Sequence, residues 1–263
     1  MSKFFSKFLG VEWVNKYDWL PSLSFEHADA GGFYDELVSN DGWVGSFNWG
    51  DGNAFEDDFK RNDKDGNAPD WVDAQDFVYF TGHGSPWGFY FRQDVPDDSM
   101  IEADNYSGAD QGDLRLGKHN LEWLALEVCE TLKWEDVLDG HTYDVFDRWC
   151  GAFQGMHIMC SFTTVSDDLE TPGRYFAACL DGRWMWEIFH LLLGFSLPLR
   201  VIDSWFVMTS LCQPDVYESA VLYADTEGTN TGEDFIHGHG YVSPDPVPGA
   251  ANWFMWTWLP HQC

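Results

Sequence analysis

The sequence predicts an α/β fold with a mainly parallel central sheet flanked by helices. Three observations support this prediction. The chain contains apolar runs of strand length, helical patterns alternate with these runs, and two of the runs end in residues typical of a site at a sheet edge. With 263 residues and 44% hydrophobic content, the chain is long enough to form a single domain over residues 1–263 with a sizeable core.

The first third of the chain supplies an entry segment, a helix and a strand. Residues 1–16 are assigned to an N-terminal extension. Asp29 precedes a short helical pattern over residues 30–38, where its carboxylate is placed to cap the helix. Apolar and small residues alternate over residues 43–49, which predicts a strand.

The rest of the chain alternates strands with helices. Aromatic and β-branched residues over 77–81 predict one buried strand, and the mostly apolar run 121–129 predicts a second. A strand, helix and strand in succession imply a parallel crossover. The later predicted elements are helices at 143–150, 174–193 and 201–212, strands at 156–164 and 219–223, and an aromatic, proline-rich tail at 230–263 that packs on the core.

The charge of the chain excludes several classes of partner. It has 44 acidic and 14 basic residues, a formal net charge of -30, whereas binding of nucleic acid requires clustered Lys and Arg. A solubilising acidic coat and a cationic substrate both fit this composition. The longest apolar run, 184–199, is interrupted by polar residues and proline, so no membrane span is expected. No signal-peptide pattern is visible near residue 1, which favours a cytoplasmic protein.

Two of the predicted core strands end in residues that suit catalysis. The strand over 77–81 runs into Gly82, His83 and Gly84, and the strand over 121–129 ends at Cys129. If both strands are parallel, the imidazole and the thiol meet at one edge of the sheet. The six cysteines include no CxxC pair, and the five other than Cys129 are interpreted as structural thiols.

These two blocks carry a resemblance to a known group of enzymes. Phe77-Val78-Tyr79-Phe80-Thr81-Gly82-His83-Gly84 and Leu124-Ala125-Leu126-Glu127-Val128-Cys129 resemble the paired blocks of the caspase, gingipain and legumain superfamily of cysteine peptidases. The likeness is greatest to an uncharacterised microbial domain family with the same two blocks. His83 precedes Cys129 by 46 positions, and caspases separate their pair by about 50.

The resemblance implies a caspase-like three-layer sandwich and a cysteine peptidase that needs no cofactor. Cys129 would be the thiolate nucleophile, and His83 the general base and later the acid to the leaving amine. The backbone N–H groups of Gly84 and Cys129 would bind the oxyanion. The substrate would be a peptide or related amide, with a basic side chain near the cut because the protein is so acidic. Cys129 is followed by Glu130, which departs from the Gln-Ala-Cys-Xaa-Gly motif of caspases.

Further candidate residues lie outside the pair. The residues expected to line the cleft are Gly82, Ser85, Trp87, Glu130, His237 and His239. Oxygen-bearing side chains in one polar loop suggest calcium, although Arg61 occupies the first EF-hand ligand position and no glutamate occupies the twelfth; the calcium candidates are Asp63, Asp65, Asn67 and Asp70. His237 and His239, with Asp234, form a weaker candidate zinc site.

Two alternative functions remain open at this point. The pair could serve acyl transfer or cyclisation of a small molecule in an aromatic pocket, since the chain has 15 Trp residues. The protein could also be a non-catalytic or metal-binding member of the same fold. The sequence leaves substrate specificity and oligomeric state undetermined.

Overall fold

A computed structural model describes residues 6–92, 99–106, 112–184, 197–213, 218–226, 229–247 and 253–260. The strands are β1 (Phe8–Trp13), β2 (Val44–Gly50), β3 (Phe77–Thr81), β4 (Gly84–Ser85), β5 (Gly88–Tyr90), β6 (Met100–Glu102), β7 (Trp123–Glu127), β8 (Glu135–Leu138), β9 (His141–Asp144), β10 (Ile158–Phe162), β11 (Glu218–Thr226), β12 (Thr229–Asn230) and β13 (Trp253–Pro260). The helices are α1 (Glu26–Asn40), α2 (Val145–Trp149), α3 (Pro172–Asp181) and α4 (Val201–Cys212).

The main sheet is mostly parallel, as predicted. Its eight strands follow the order β12-β11-β10-β7-β3-β1-β2, and β13 pairs with β11. The pairs from β2 through β10 are parallel, whereas β11 runs antiparallel to β10, β12 and β13. The parallel pairing of β7 with β10 confirms the predicted crossover. The two smaller sheets are β4-β5-β6 and β8-β9.

The beginning of the chain differs from the prediction. The assignment of residues 1–16 to an extension is wrong for Phe8–Trp13, because these residues form β1 between β2 and β3. Leu9 and Val11 are fully buried, but Gly10 interrupts the apolar pattern and lies against the ring of Phe47. Glu12 is also fully buried, and a charged residue at this position further interrupts the apolar pattern of the strand.

Helix α1 begins earlier than the sequence indicated. It starts at Glu26, so Asp29 lies in its first turn and does not cap it. The Asp29 carboxylate accepts hydrogen bonds from the Tyr79 hydroxyl at 2.6 Å and the Gly173 backbone N–H at 2.5 Å. Asp29 therefore connects α1 with β3 and the start of α3.

The two faces of the sheet are covered differently. One face carries α1, α3 and α4 over side chains such as Phe77, Tyr79 and Trp123. The opposite face, which includes Phe80 and Leu126, packs against 3-10 turns, the β4-β5-β6 sheet and the short helix α2. The caspase-like sandwich is not confirmed, because over the described residues the longer helices cover only one face. The predicted helix over 174–193 ends at Asp181, and residues 185–196 lie outside the described residues.

Within the described ranges, every helix is too short or too polar to cross a lipid bilayer.

Candidate functional site

His83 and Cys129 follow neighbouring parallel strands at the same edge of the sheet. Phe77 pairs with Trp123 and Thr81 with Glu127, an offset of 46 residues that also relates His83 to Cys129. A Cβ atom at position 84 would lie 2.7 Å from the Val128 Cβ and 2.8 Å from the Cys129 carbonyl oxygen. Glycine at position 84 therefore allows the two strand ends to touch.

Two groups from the segment after β1 hold His83. Its Nε2 lies 2.8 Å from the Pro21 carbonyl oxygen, and its backbone N–H donates to the Tyr17 hydroxyl at 2.8 Å. The Tyr17 ring packs on the imidazole with centroids 4.7 Å apart. Because a carbonyl oxygen can only accept, Nε2 carries a proton in this contact, which leaves Nδ1 as the ring nitrogen that can accept one.

The Cys129 thiol is half-buried beside Ser166. Sγ lies 3.7 Å from the Ser166 hydroxyl and accepts from the Ser166 backbone N–H at 3.5 Å. Burial raises the pKa of the Cys129 thiol, and the carboxylates of Glu130 and Glu127 raise it further. Cys129 and His83 thus each have their own partners, and no hydrogen bond joins them in the part of the chain that is described. Burial and the neighbouring carboxylates thus favour the neutral form of the Cys129 thiol.

A group of buried acids lies directly behind this edge. Glu26, Asp29 and Glu127 are all 5% exposed or less. The Thr81 hydroxyl donates to Glu26, and the Gln213 amide donates to Glu127 at 2.9 Å. Over the described ranges, none of the three forms an ion pair with Lys or Arg. We call Glu26, Asp29 and Glu127 the acidic cluster.

Burial sets the protonation of the acidic cluster. Desolvation raises the pKa of Asp29 to about 7. It raises the pKa of Glu26 and of Glu127 well above the ordinary glutamate value, and the neighbouring carboxylates add to both effects. A positive charge placed nearby would act against these shifts and lower the pKa of each carboxyl.

We expect the free energy of unfolding to fall as pH rises from about 4 to 7, the window between the unfolded and folded pKa of Asp29. In that window the folded state binds more protons than the unfolded chain, so stability is lost as pH increases. Urea denaturation at a series of pH values measures this slope. Asp29→Asn should reduce it by up to about 1.4 kcal/mol per pH unit, whereas the exposed Asp70→Asn should not change it. If the free energy of unfolding of Asp29→Asn depended on pH as in the parent protein, the raised pKa of Asp29 would be contradicted.

A buried arginine links the loops that follow His83 and Cys129. Arg148 is 1% exposed, and its guanidinium donates to the carbonyl oxygens of Pro86 and Lys133. The same guanidinium lies 5.6 Å from the centre of the Trp87 ring. Burial lowers the pKa of Arg148 to about 10, so it remains charged at neutral pH. We call this arrangement the Arg148 bridge.

One protein family matches the part of the chain that contains this site. A family model described as a domain of unknown function, DUF6345, matches residues 11–259. The chain belongs to the DUF6345 family. No curated protein matches the sequence. The matched range runs from β1 into β13 and contains His83, Cys129 and the acidic cluster, while the family description states no activity.

Several residues predicted to line the cleft have structural partners in this DUF6345 domain. Gly82 lies against the Tyr17 hydroxyl, and the Ser85 hydroxyl accepts from the Tyr90 hydroxyl at 3.1 Å. Trp87 is 6% exposed, and its indole N–H donates to Asp136 at 2.7 Å. Glu130, next to Cys129, forms an ion pair with Lys133 at 3.4 Å, and its side chain is 35% exposed.

His237 and His239 do not line the same cleft, so that prediction is wrong. His237 bonds Glu122, the residue just before β7, through Nε2 and Oε2 at 2.7 Å. His239 bonds Asp41 at 2.7 Å. These contacts place both imidazoles where the parallel strands begin, which we call the amino edge of the sheet. Cys129 lies at the opposite edge, where the parallel strands end. The predicted zinc trio does not assemble either, because Asp234 bonds His157.

The calcium loop of the DUF6345 domain stays a prediction. Arg61 donates to both carboxylate oxygens of Asp63, at 2.6 and 2.8 Å. Asp65 has a left-handed backbone at the end of a 3-10 turn. Both carboxylate oxygens of Asp63 thus have a protein partner.

Sequence reasoning missed most of the supporting residues. Pro21 and Ser166 lie in loops whose paths are set by tertiary contacts, so no local pattern identified them. Glu127 did carry a signal, because a carboxylate within an apolar strand must have a partner or a function. Arg148, placed in a helix candidate, carried no signal of its burial.

Proposed function

We propose that this DUF6345 protein is a cysteine-dependent hydrolase with a caspase-like arrangement, which cleaves a peptide or related amide bond. The observation that carries the proposal is the shared 46-residue offset, which sets His83 opposite Cys129 beyond the carboxyl ends of β3 and β7. This edge is where α/β sheets carry their catalytic residues.

The contacts of His83 suggest how the reaction would proceed. With Nε2–H held by Pro21, the lone pair on Nδ1 takes the proton from the Cys129 thiol as Sγ attacks the carbonyl carbon. The imidazolium then gives this proton to the leaving amine, and a thioester forms. Water, deprotonated by the imidazole, hydrolyses the thioester and releases the acid and the thiol. The backbone N–H groups of residues 84 and 129 would bind the oxyanion that develops on the substrate carbonyl.

The acidic cluster supports a basic side chain next to the bond that is cut. Glu127 lies two positions before Cys129, and Glu26 is close enough for Glu127 and Asp168 to raise its pKa. A guanidinium or ammonium at this point would supply the counter-charge that the cluster lacks. The substrate class favoured is therefore a peptide with Arg or Lys at the cut.

Alkylation of the free thiols tests the pair directly. With iodoacetamide near pH 7, we expect Cys129 to react at least ~10-fold faster than Cys150, because in the proposed mechanism the His83 imidazole takes the proton of the Cys129 thiol. His83→Ala should lower the Cys129 rate about tenfold or more. Peptide mapping by mass spectrometry gives both rates.

The control for this experiment is His239→Ala, which removes an imidazole at the opposite edge and should leave the Cys129 rate unchanged. Burial alone predicts a low rate of alkylation at Cys129, because it raises the pKa of the thiol. Equal rates for Cys129 in the parent protein and in His83→Ala would therefore contradict the pair.

An apolar groove favours a second candidate, acyl transfer to or cyclisation of a small molecule. The groove has a volume of about 730 Å³ and begins at Lys133 and Trp134, in the loop after Cys129. Trp256 and Trp258 of β13 form much of its wall. Its lining includes neither Cys129 nor His83, which makes amide hydrolysis the better-supported function. Thioester-dependent transfer to an aromatic acceptor without net hydrolysis would favour the second candidate.

A further inference from the structure

The amino edge of the main sheet carries a second cluster of ligand-type side chains. Asp76 lies just before β3, Glu122 just before β7, and His237 in the segment that follows the 3-10 turn Thr231–Glu233. One ligand atom from each of the three lies within 4.8 Å of the other two. In the described part of the chain, this is the group of three such residues that meets this spacing.

The spacing of these atoms suits a small metal ion. The His237 Nε2 lies 2.7 Å from Glu122 Oε2 and 3.9 Å from Asp76 Oδ1. A tetrahedral zinc ion with bonds of about 2.0–2.1 Å holds its ligand atoms about 3.4 Å apart. The observed distances lie on either side of this value, so shifts of less than about 1 Å would form the site.

The strand register is what brings the two carboxylates together. Glu122 donates its backbone N–H to the Asp76 carbonyl at 3.1 Å, which continues the pairing of β3 with β7. Oδ2 of Asp76 accepts from the Phe8 backbone N–H at 2.5 Å, and this contact leaves Oδ1 for His237. The Asp76 and Glu122 side chains are only 16% and 15% exposed. Both ligands are therefore held by the backbone of the sheet.

The charges at this edge leave room for a cation. His237 can balance at most one of the two carboxylates. The nearby ammonium of Lys7 is paired with Asp41 at 2.9 Å, and it also donates to the His237 carbonyl at 3.1 Å. The imidazole of His157 also acts on Glu122, but it is itself bonded to Asp234 at 2.6 Å. A divalent ion would therefore complete the balance of the two partly buried carboxylates.

We propose that Asp76, Glu122 and His237 bind a divalent transition-metal ion of the zinc type, with water completing the coordination. The imidazole nitrogen favours such an ion over calcium or magnesium, which prefer oxygen ligands. The five-residue strand β7 separates this site from the edge with Cys129, a distance of about 17 Å. The ion would tie the starts of β3 and β7 to the segment around His237, independently of the proposed hydrolysis.

Cobalt serves as the spectroscopic probe for this site. The full-length protein is stripped with a chelator, reduced, and titrated with Co²⁺, followed by competition with Zn²⁺. We expect one visible ligand-field band at one equivalent, no thiolate-to-cobalt charge transfer, and loss of the band when Zn²⁺ is added. Zinc at about 100 times its Kd should raise Tm by roughly 5–10 °C.

Matched variants assign the ligands. Asp76→Asn and Glu122→Gln keep the side-chain shape, and each should weaken Co²⁺ binding at least ~100-fold, as should His237→Ala. His239→Ala removes a neighbouring imidazole bonded to Asp41 and should leave the affinity unchanged within about threefold. Circular dichroism of the metal-free forms shows that each variant is folded.

Four results would overturn the proposal. The first two are the absence of Co²⁺ or Zn²⁺ binding at 1:1 stoichiometry and the presence of a thiolate charge-transfer band. The third is Co²⁺ affinity in both Asp76→Asn and Glu122→Gln equal to that of the parent protein. The fourth is a loss of affinity in His239→Ala as large as that in the ligand variants. The rate of Cys129 alkylation should be the same in Asp76→Asn as in the parent protein, so failure at this site and failure of the proposed hydrolase are distinguishable.

Discussion

Replacing Cys129 by alanine is expected to abolish amide hydrolysis by this protein, with kcat/KM reduced by at least ~10³-fold, because the proposed thioester forms on the Cys129 thiol. His83→Ala should cost about 10²–10⁴-fold, the range typical for loss of a general acid–base. The measurement is hydrolysis of fluorogenic peptides with Arg, Lys, Leu or Asp before the reporter group.

The control for both variants is His239→Ala, which should retain parent activity. Hydrolysis that persists in Cys129→Ala but disappears with chelator would replace the thiol mechanism by metal-dependent chemistry.

The same peptides test whether the acidic cluster favours a substrate with a basic side chain. Glu127→Gln keeps the hydrogen bond from Gln213 possible while removing the charge. We expect kcat/KM to fall about 10- to 100-fold for the Arg and Lys peptides and much less for the Leu peptide. An equal change in kcat/KM for all four peptides would contradict the proposed preference for a basic side chain. It would not contradict the proposed role of Cys129.

Replacing Arg148 by methionine is expected to lower the free energy of unfolding by about 3 kcal/mol or more. The methionine fills similar space, but the carbonyl oxygens of Pro86 and Lys133 lose a charged donor in a buried position. Because these carbonyls belong to the loops after His83 and Cys129, the alkylation rate of Cys129 should change as well. Urea denaturation at neutral pH measures the stability.

The comparison for this variant is Arg92→Met, whose side chain is 43% exposed and lies 3.7 Å from Asp18. Its effect should stay below about 1 kcal/mol, as for other surface pairs. Equal destabilisation by the two substitutions would show that the Arg148 bridge holds neither loop.

The strands that carry His83 and Cys129 could be predicted because their chemistry is local. β-Branched and aromatic residues in β3 and apolar residues in β7 indicate buried strands wherever they occur. The all-round apolar pattern over 201–212 likewise predicted α4, where Val201, Trp205 and Met208 are buried.

Other parts of the fold depend on contacts between distant segments. β1 was missed because Gly10 and Glu12 break its pattern, and only the ring of Phe47 explains the glycine. The contact of Pro21 with His83 joins residues 62 positions apart, and the contact of Ser166 with Cys129 spans 37. Loop paths of this kind follow from the packed sheet and carry no local sequence signal.

The parallel register of β3 and β7 has a consequence for how distant relatives should be sought. His83 and Cys129 are aligned by the backbone hydrogen bonds between these strands, and the chain between them only has to return to the same end of the sheet. An insertion or deletion in a surface loop between Tyr90 and Trp123 would change the number 46 without changing the register of β3 with β7. A profile that fixes the two strand blocks and lets the intervening length vary should therefore detect homologues that a fixed spacing would miss.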